Sequence, residues 1–254
     1  MKVAVTGATG RMGRAVRDLL EERSDASLAV ATSRSPADET ARTVEDSANL
    51  PALLRERSAD VVVDFTAPSA SVDHAATAAE VGIPIVIGTT GFEDEQVSAL
   101  ASAGERVPVL LGANFSRGVQ ALIEAVATAV ESLPAYDVEV TETHHNEKPD
   151  APSGTAKVIL DAIDDARDLE SERVHGREGE TPRSRDEIGV HARRAGDVTG
   201  EHEVLLAGNE EVLSLTHRAG SRYVFAAGAL DAAAWLREQE PALYRFTNVA
   251  DQLT

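Results

Sequence analysis

Residues 2–13 read Lys-Val-Ala-Val-Thr-Gly-Ala-Thr-Gly-Arg-Met-Gly. The first five are a short apolar run of the kind that forms a buried strand. Gly7, Gly10 and Gly13 then recur every third position, and an amphipathic helix over about 11–23 follows. Glycines allow a tight turn and close backbone approach, and a helix N-terminus receives a pyrophosphate through its N–H groups and dipole. This order of strand, glycine turn and helix predicts a dinucleotide-binding α/β domain.

Working outward, the same alternation continues. Residues 27–31 read as a second strand, ending on Thr32-Ser33-Arg34. A ribose-binding acid usually stands at that place, and none is present. Residues 35–50 are polar and turn-rich and read as a loop with at most a short helix. Strands over 60–65, 84–87 and 107–111 alternate with helices over 69–81 and 93–103. A doubly wound parallel sheet follows from this pattern. Its strand-end loops at Gly7, Thr32, Gly88 and Gly112 carry small residues where such sheets bind ligands. His74, mid-helix among alanines, reads as structural.

After residue 119 the pattern changes to α+β. A helix over 118–131 and a strand over 136–142 lead into His144-His145-Asn146-Glu147-Lys148-Pro149-Asp150-Ala151-Pro152-Ser153-Gly154-Thr155. The two prolines prevent a regular helix or central strand there. Ser153-Gly154-Thr155 precedes an apolar run and reads as a helix start, over 155–166, that favours an anion. A rigid cationic loop suited to a small dicarboxylate results; the competing reading is a solvated loop with incidental histidines. Residues 167–189 are highly charged and read as a long mobile surface loop, followed by antiparallel strands over 190–193, 203–207 and 211–217. A last apolar helix over 225–236 is long enough to pack back on the first domain.

The net charge of −19 disfavours nucleic acid and anionic membranes as partners. Three lysines stand against 21 arginines, a balance resembling proteins of salt-saturated cytoplasms. Arginine cannot release a proton and lysine can, which marks out Lys148. There is no cysteine, hence no thiol nucleophile. No apolar run approaches a membrane span and no basic leader precedes the first strand, so a cytoplasmic protein is expected.

Val-Thr-Gly-Ala-Thr-Gly-Arg-Met-Gly at 5–13, Val-Asp-Phe-Thr at 63–66, Gly-Thr-Thr-Gly-Phe at 88–92 and Ala-Asn-Phe-Ser at 113–116 resemble one family. Glu-Thr-His-His-Asn-Glu-Lys-Pro-Asp-Ala-Pro-Ser-Gly-Thr-Ala at 142–156, Arg-Ala-Gly-Asp at 194–197 and Gly-Glu-His at 200–202 extend the match. The family is dihydrodipicolinate reductase, of lysine and diaminopimelate biosynthesis. The resemblance implies a Rossmann-type nucleotide domain over 1–116 plus 223–254. It also implies an α+β domain over 117–222 for substrate binding and homotetramer formation.

On the matching positions it implies cofactor contacts at Gly7, Ala8, Thr9, Gly10, Arg11, Met12, Ser33, Arg34, Gly88, Thr89, Thr90, Gly112, Ala113, Asn114 and Phe115. His144 matches the catalytic histidine and Lys148 the proton donor. His145, Gly154 and Thr155 match substrate contacts. Ser33 departs from an acid common at its place, and Asn146-Glu147 from basic residues carried by many relatives.

The expected activity is hydride transfer from NADPH, with NADH also usable, to a cyclic unsaturated imine dicarboxylate. NADPH is favoured because Ser33 and Arg34 would accept a 2′-phosphate that a carboxylate repels. A semialdehyde dehydrogenase lacks its cysteine here. No metal site is expected at His144-His145, since adjacent side chains on an extended segment point apart. The alternative from another class is a non-catalytic NAD(P)-sensing regulator.

Overall fold

The computed structural model describes residues 1–35 and 44–253. In chain order its elements begin β1 (Lys2–Thr6), α1 (Arg11–Glu22), β2 (Ser27–Ser33), β3 (Glu45–Asp46), α2 (Leu50–Arg57) and β4 (Val61–Asp64). There follow α3 (Pro68–Val81), β5 (Ile85–Ile87), α4 (Asp94–Gly104), β6 (Val109–Leu111), α5 (Arg117–Ser132), β7 (Asp137–His144) and α6 (Gly154–Arg167). The chain ends with β8 (Glu172–His175), β9 (Glu187–Arg194), β10 (Glu201–Gly208), β11 (Glu211–Arg218), α7 (Tyr223–Leu236) and β12 (Leu243–Arg245). Two compact units result: Met1–Ser116 with Arg222–Thr254, and Arg117–Ser221.

The first unit is a seven-stranded sheet in the order β12-β6-β5-β4-β1-β2-β3, every neighbouring pair parallel. Alternation along a strand sends successive side chains to opposite faces. Val3, Val5, Val61 and Val63 therefore pack with Val16, Leu20, Ala229 and Leu230 of α1 and α7. Ala4, Val62, Ile85 and Ile87 pack with Leu53, Leu54, Ala78 and Leu100 of α2, α3 and α4. The last helix is built for close contact: a Cβ on Gly228 would sit 1.9 Å from the Phe115 carbonyl oxygen.

The second unit is a five-stranded sheet in the order β11-β10-β7-β9-β8. Val126 and Val130 of α5 and Ile159 and Ile163 of α6 bury against Val138, Val140, Ile188, Val190, Val204 and Leu206. Among the described residues no helix is long and apolar enough to cross a membrane.

Four sequence expectations change. The strands after residue 187 are not all antiparallel: β9 runs parallel to both β7 and β8, while β10 is antiparallel to β7 and β11. The stretch 167–189 contains β8, and Arg183 there donates to the Val138 and Glu187 carbonyls. Part of the expected loop over 35–50 is β3 and the start of α2; its residues 36–43 lie outside the described residues. His144 is the last residue of β7 rather than part of the loop.

Candidate active site

Register collects the strand ends of the first unit. Thr32, Thr6, Asp64, Ile87 and Leu111 lie in one row across β2, β1, β4, β5 and β6. The next residues, Gly7, Phe65, Gly88 and Gly112, therefore leave the sheet along the same edge, beside Ser33 at the end of β2. At Gly7 the backbone has φ +68°, and a Cβ would stand 2.5 Å from the Phe65 oxygen. A Cβ on Gly13 would be 2.2 Å from the Gly7 oxygen. Only glycine fits both places. Gly10 donates its N–H to the Gly7 oxygen at 2.9 Å and stands at the cap of α1. That helix has no side-chain cap and no acid in its first turn, so its positive end suits a pyrophosphate.

The expected cofactor residues divide by exposure. Thr9, Gly10, Arg11, Met12, Arg34, Gly88, Thr90, Ala113 and Asn114 have surface to offer a ligand, whereas Ala8, Thr89, Gly112 and Phe115 are buried. Phe115 backs the edge, stacking edge-on between Phe65 and Phe246. Ser33 is also mostly buried, its hydroxyl 2.8 Å from that of Thr9 and accepting the Ser35 N–H at 3.3 Å.

In the second unit the decisive row is Ala192, Glu142, His202 and His217 across β9, β7, β10 and β11. Directly opposed residues share a face, and so do residues two apart on one strand. Glu142 thus stands beside His202, and His144 follows it on the same face, opposite Arg194. Glu142 is fully buried. Its carboxylate takes a two-pronged pair from Arg194 at 2.8 and 2.7 Å and the Ser153 N–H at 3.0 Å. The remaining partner is His144, whose Nδ1 lies 2.6 Å from Oε2. Burial alone would raise the Glu142 pKa, but His144 and Arg194 outweigh it and hold the group at about 2.

With Nδ1 engaged, the other ring nitrogen of His144 is the one left to work. A Cβ on Gly200 would lie 3.2 Å from Nε2, so the glycine keeps that side open. His202 packs edge-on against His144 at 5.2 Å and sits 3.1 Å from the Ser153 hydroxyl. Burial, then the charge of His144, push its pKa down to about 4, so it is a neutral wall at ordinary pH.

The loop that follows is tied to β9 and the turn beyond it. Ala195 donates to the His144 oxygen and Asn146 to the Gly196 oxygen, while Arg194 donates to the oxygens of Lys148 and Asp150. Lys148 Nζ rests 2.8 Å from Asp150. Ser153 caps α6, its hydroxyl accepting the Ala156 N–H at 3.2 Å. Gly154 faces open space, with nothing within 4 Å of a would-be Cβ. Thr155 is buried, and His145 is half-buried. Lys148, His144 and the open start of α6 are therefore joined through one carboxylate and one guanidinium. No group of three metal-ligating side chains occurs among the described residues.

Sequence reasoning did not assign Glu142, Arg194, His202 or Asp150. One signal was available: Glu142-Thr143-His144 on a strand puts the acid and the histidine on one face. Arg194 and His202 needed the register.

The family described as dihydrodipicolinate reductase matches in two parts, its N-terminus over residues 1–115 and its C-terminus over 118–250. A 4-hydroxy-tetrahydrodipicolinate reductase of Natronomonas pharaonis is 54% identical over 246 residues, 97% of this chain and 98% of the relative. One from Haloarcula marismortui is 51% identical over 252 residues, 98% of this chain and 99% of the relative. Among solved structures, dipicolinate-bound dihydrodipicolinate reductase from Paenisporosarcina sp. TG-14 superposes with a TM-score of 0.78 at 26% identity, covering 98% of this chain and 99% of that one.

Proposed function

The chain belongs to the dihydrodipicolinate reductase family, and from that premise we infer that it reduces 4-hydroxy-tetrahydrodipicolinate to tetrahydrodipicolinate with a pyridine nucleotide. Loss of the 4-hydroxyl as water leaves a conjugated unsaturated imine dicarboxylate, and NAD(P)H, when bound, would supply a hydride to a ring carbon of it. The glycine loop and the start of α1 hold the pyrophosphate. His145 and the N–H groups of Gly154 and Thr155 hold a substrate carboxylate at the positive end of α6. Negative charge left on the ring after hydride arrival must be protonated, and Lys148 is the donor. His144, oriented by Glu142 through Nδ1, would donate its Nε2–H to that developing charge. The observation that carries this reading is the Glu142 carboxylate shared between His144 and Arg194, because it fixes the imidazole and the Lys148 loop together. The NAD(P)-sensing reading gives these groups nothing to do and is set aside.

Finer points belong to the same proposal. NADPH is preferred over NADH, and Arg34 carries that preference. Arg34 is exposed, whereas Ser33 spends its hydroxyl on Thr9 and Ser35. The enzyme works in the cytoplasm as a homotetramer built on the second unit, and the charge of −19 suits molar salt.

The test is turnover of the purified protein on 4-hydroxy-tetrahydrodipicolinate with each nucleotide, at molar potassium chloride. We expect both to be consumed, NADPH with a kcat/KM about tenfold or more higher, the worth of one charge-assisted contact. Arg34→Ala should erase the difference. Nucleotide binding without consumption would return the sensor.

A further inference from the structure

Asp64 is fully buried at the end of β4, so no bound nucleotide can touch it. Its partners nevertheless come from β1, from the turns after β4 and β5, and from α3. Thr6 and Thr66 donate to Oδ1 at 2.5 and 2.9 Å, and Ser71 and Thr89 to Oδ2 at 2.5 and 3.2 Å. His74 Nδ1 lies 2.8 Å from Oδ1. A carboxylate offers about four lone-pair sites, and this set fills them. The donors are tied to one another as well: Thr89 Oγ1 accepts the Thr66 N–H at 3.0 Å and stands 2.7 Å from the Ser71 hydroxyl. Thr66 belongs to the turn after β4, Ser71 and His74 to α3, and Thr89 to the turn after β5. His74, read as structural from the sequence, is part of this cluster.

The sheet order says which part of a dinucleotide these turns serve. The adenosine ribose is held at the end of β2 and the pyrophosphate at the glycine turn after β1. β4 and β5 lie on the other side of β1 from β2. A dinucleotide laid along the edge therefore brings its nicotinamide half to the turns after β4 and β5. We propose that Asp64 is a positioning residue for the nicotinamide half of the cofactor, acting through Thr66, Ser71 and Thr89, while the glycine loop and Arg34 hold the adenosine half on their own. This rests on the pyridine-nucleotide reading above.

The experiment is calorimetric binding of NADPH and of adenosine 2′,5′-bisphosphate, which lacks the nicotinamide half, to wild type, Asp64→Asn and Ser71→Ala. Ser71 is itself fully buried, so its loss cannot remove a direct contact. We expect the NADPH Kd to rise about tenfold in Asp64→Asn and about threefold in Ser71→Ala, from one or two weakened hydrogen bonds, with the bisphosphate Kd unchanged within about twofold. Equal weakening of both ligands, or a lower melting temperature with both Kd values unchanged, would overturn the proposal. If Asp64→Asn does not fold, the Ser71→Ala pair of Kd values decides it. Failure of wild type to bind NADPH at all would instead remove the cofactor reading beneath it.

Discussion

Asp64 and Glu142 are both wholly buried, and each has a histidine Nδ1 close by, at 2.8 and 2.6 Å. Their other partners differ. Around Asp64 every further donor is a hydroxyl, from Thr6, Thr66, Ser71 and Thr89. Around Glu142 they are the Arg194 guanidinium and a backbone N–H. Hydroxyls can turn and re-pair; a planar guanidinium facing a carboxylate has one arrangement. The histidines differ as well. His74 sits within a helix and serves its carboxylate, whereas His144 ends a strand beside Gly200, which leaves its second nitrogen accessible. The same acid–histidine pair ties the ends of β1, β4 and β5 to α3 in one unit and, in the proposed reaction, aims a reactive ring in the other.

Substitution should separate the two. Arg194→Met leaves the Glu142 charge buried with only a histidine and a peptide N–H, and should cost about 3–5 kcal/mol in denaturant unfolding. Asp64→Asn, among adaptable hydroxyls, should cost about 1–3 kcal/mol. Equal losses would erase the distinction drawn here. In turnover, Glu142→Gln should lower kcat by roughly 10²-fold with the imine KM little changed, because the acid orients the charge-stabilising His144 rather than binding substrate.

The acid limb of stability offers a subtler comparison. His202 keeps its proton off until about 4 rather than 6.5, so the unfolded chain binds a proton first. Its neutral form contributes stability that is present above 6.5 and lost as the pH falls to about 4. Glu142, held at about 2 rather than 4.5, contributes stability present above 4.5 and lost as the pH falls toward 2. Melting curves should show His202→Leu flattening the first interval and Glu142→Gln the second; curves parallel to wild type would mean that neither group titrates differently on folding. The smallest effect is the least local. At molar potassium chloride the Debye length falls to about 3 Å, so the melting temperature should climb with salt in wild type and in every variant above. A flat response would discard the halophilic reading and leave the chemistry untouched.

Much of this was legible because the relevant signals are local. Valine-rich runs gave β1, which runs into Gly7, and β4, which ends on Asp64, with the edge they share. A serine before an apolar run gave the start of α6. What escaped depends on pairing. Glu172-Arg173-Val174-His175 is too charged to look like a strand, yet β9 supplies its ladder. Leu50–Arg57 is two turns long with a proline at its start, too short for periodicity to speak. Asp64 meets Thr6 only through the β1–β4 register, and Glu142 meets His202 only through β7–β10. Both carboxylates stood inside stretches whose neighbours were singled out, but one hydrogen-bond partner of each, Thr6 for Asp64 and Arg194 for Glu142, comes from more than 50 residues away along the chain.

In the proposed reaction the loop after β7 delivers a proton while Glu142 and Arg194 hold it in place. The most direct measurement is kcat of Lys148→Arg on 4-hydroxy-tetrahydrodipicolinate at saturating NADPH. Arginine keeps the charge beside Asp150 but cannot release a proton, so kcat should fall by roughly 10²–10⁴-fold, the size of one general acid contribution. A kcat near that of wild type would show that Lys148 acts only as a charge, and that the proton comes from elsewhere.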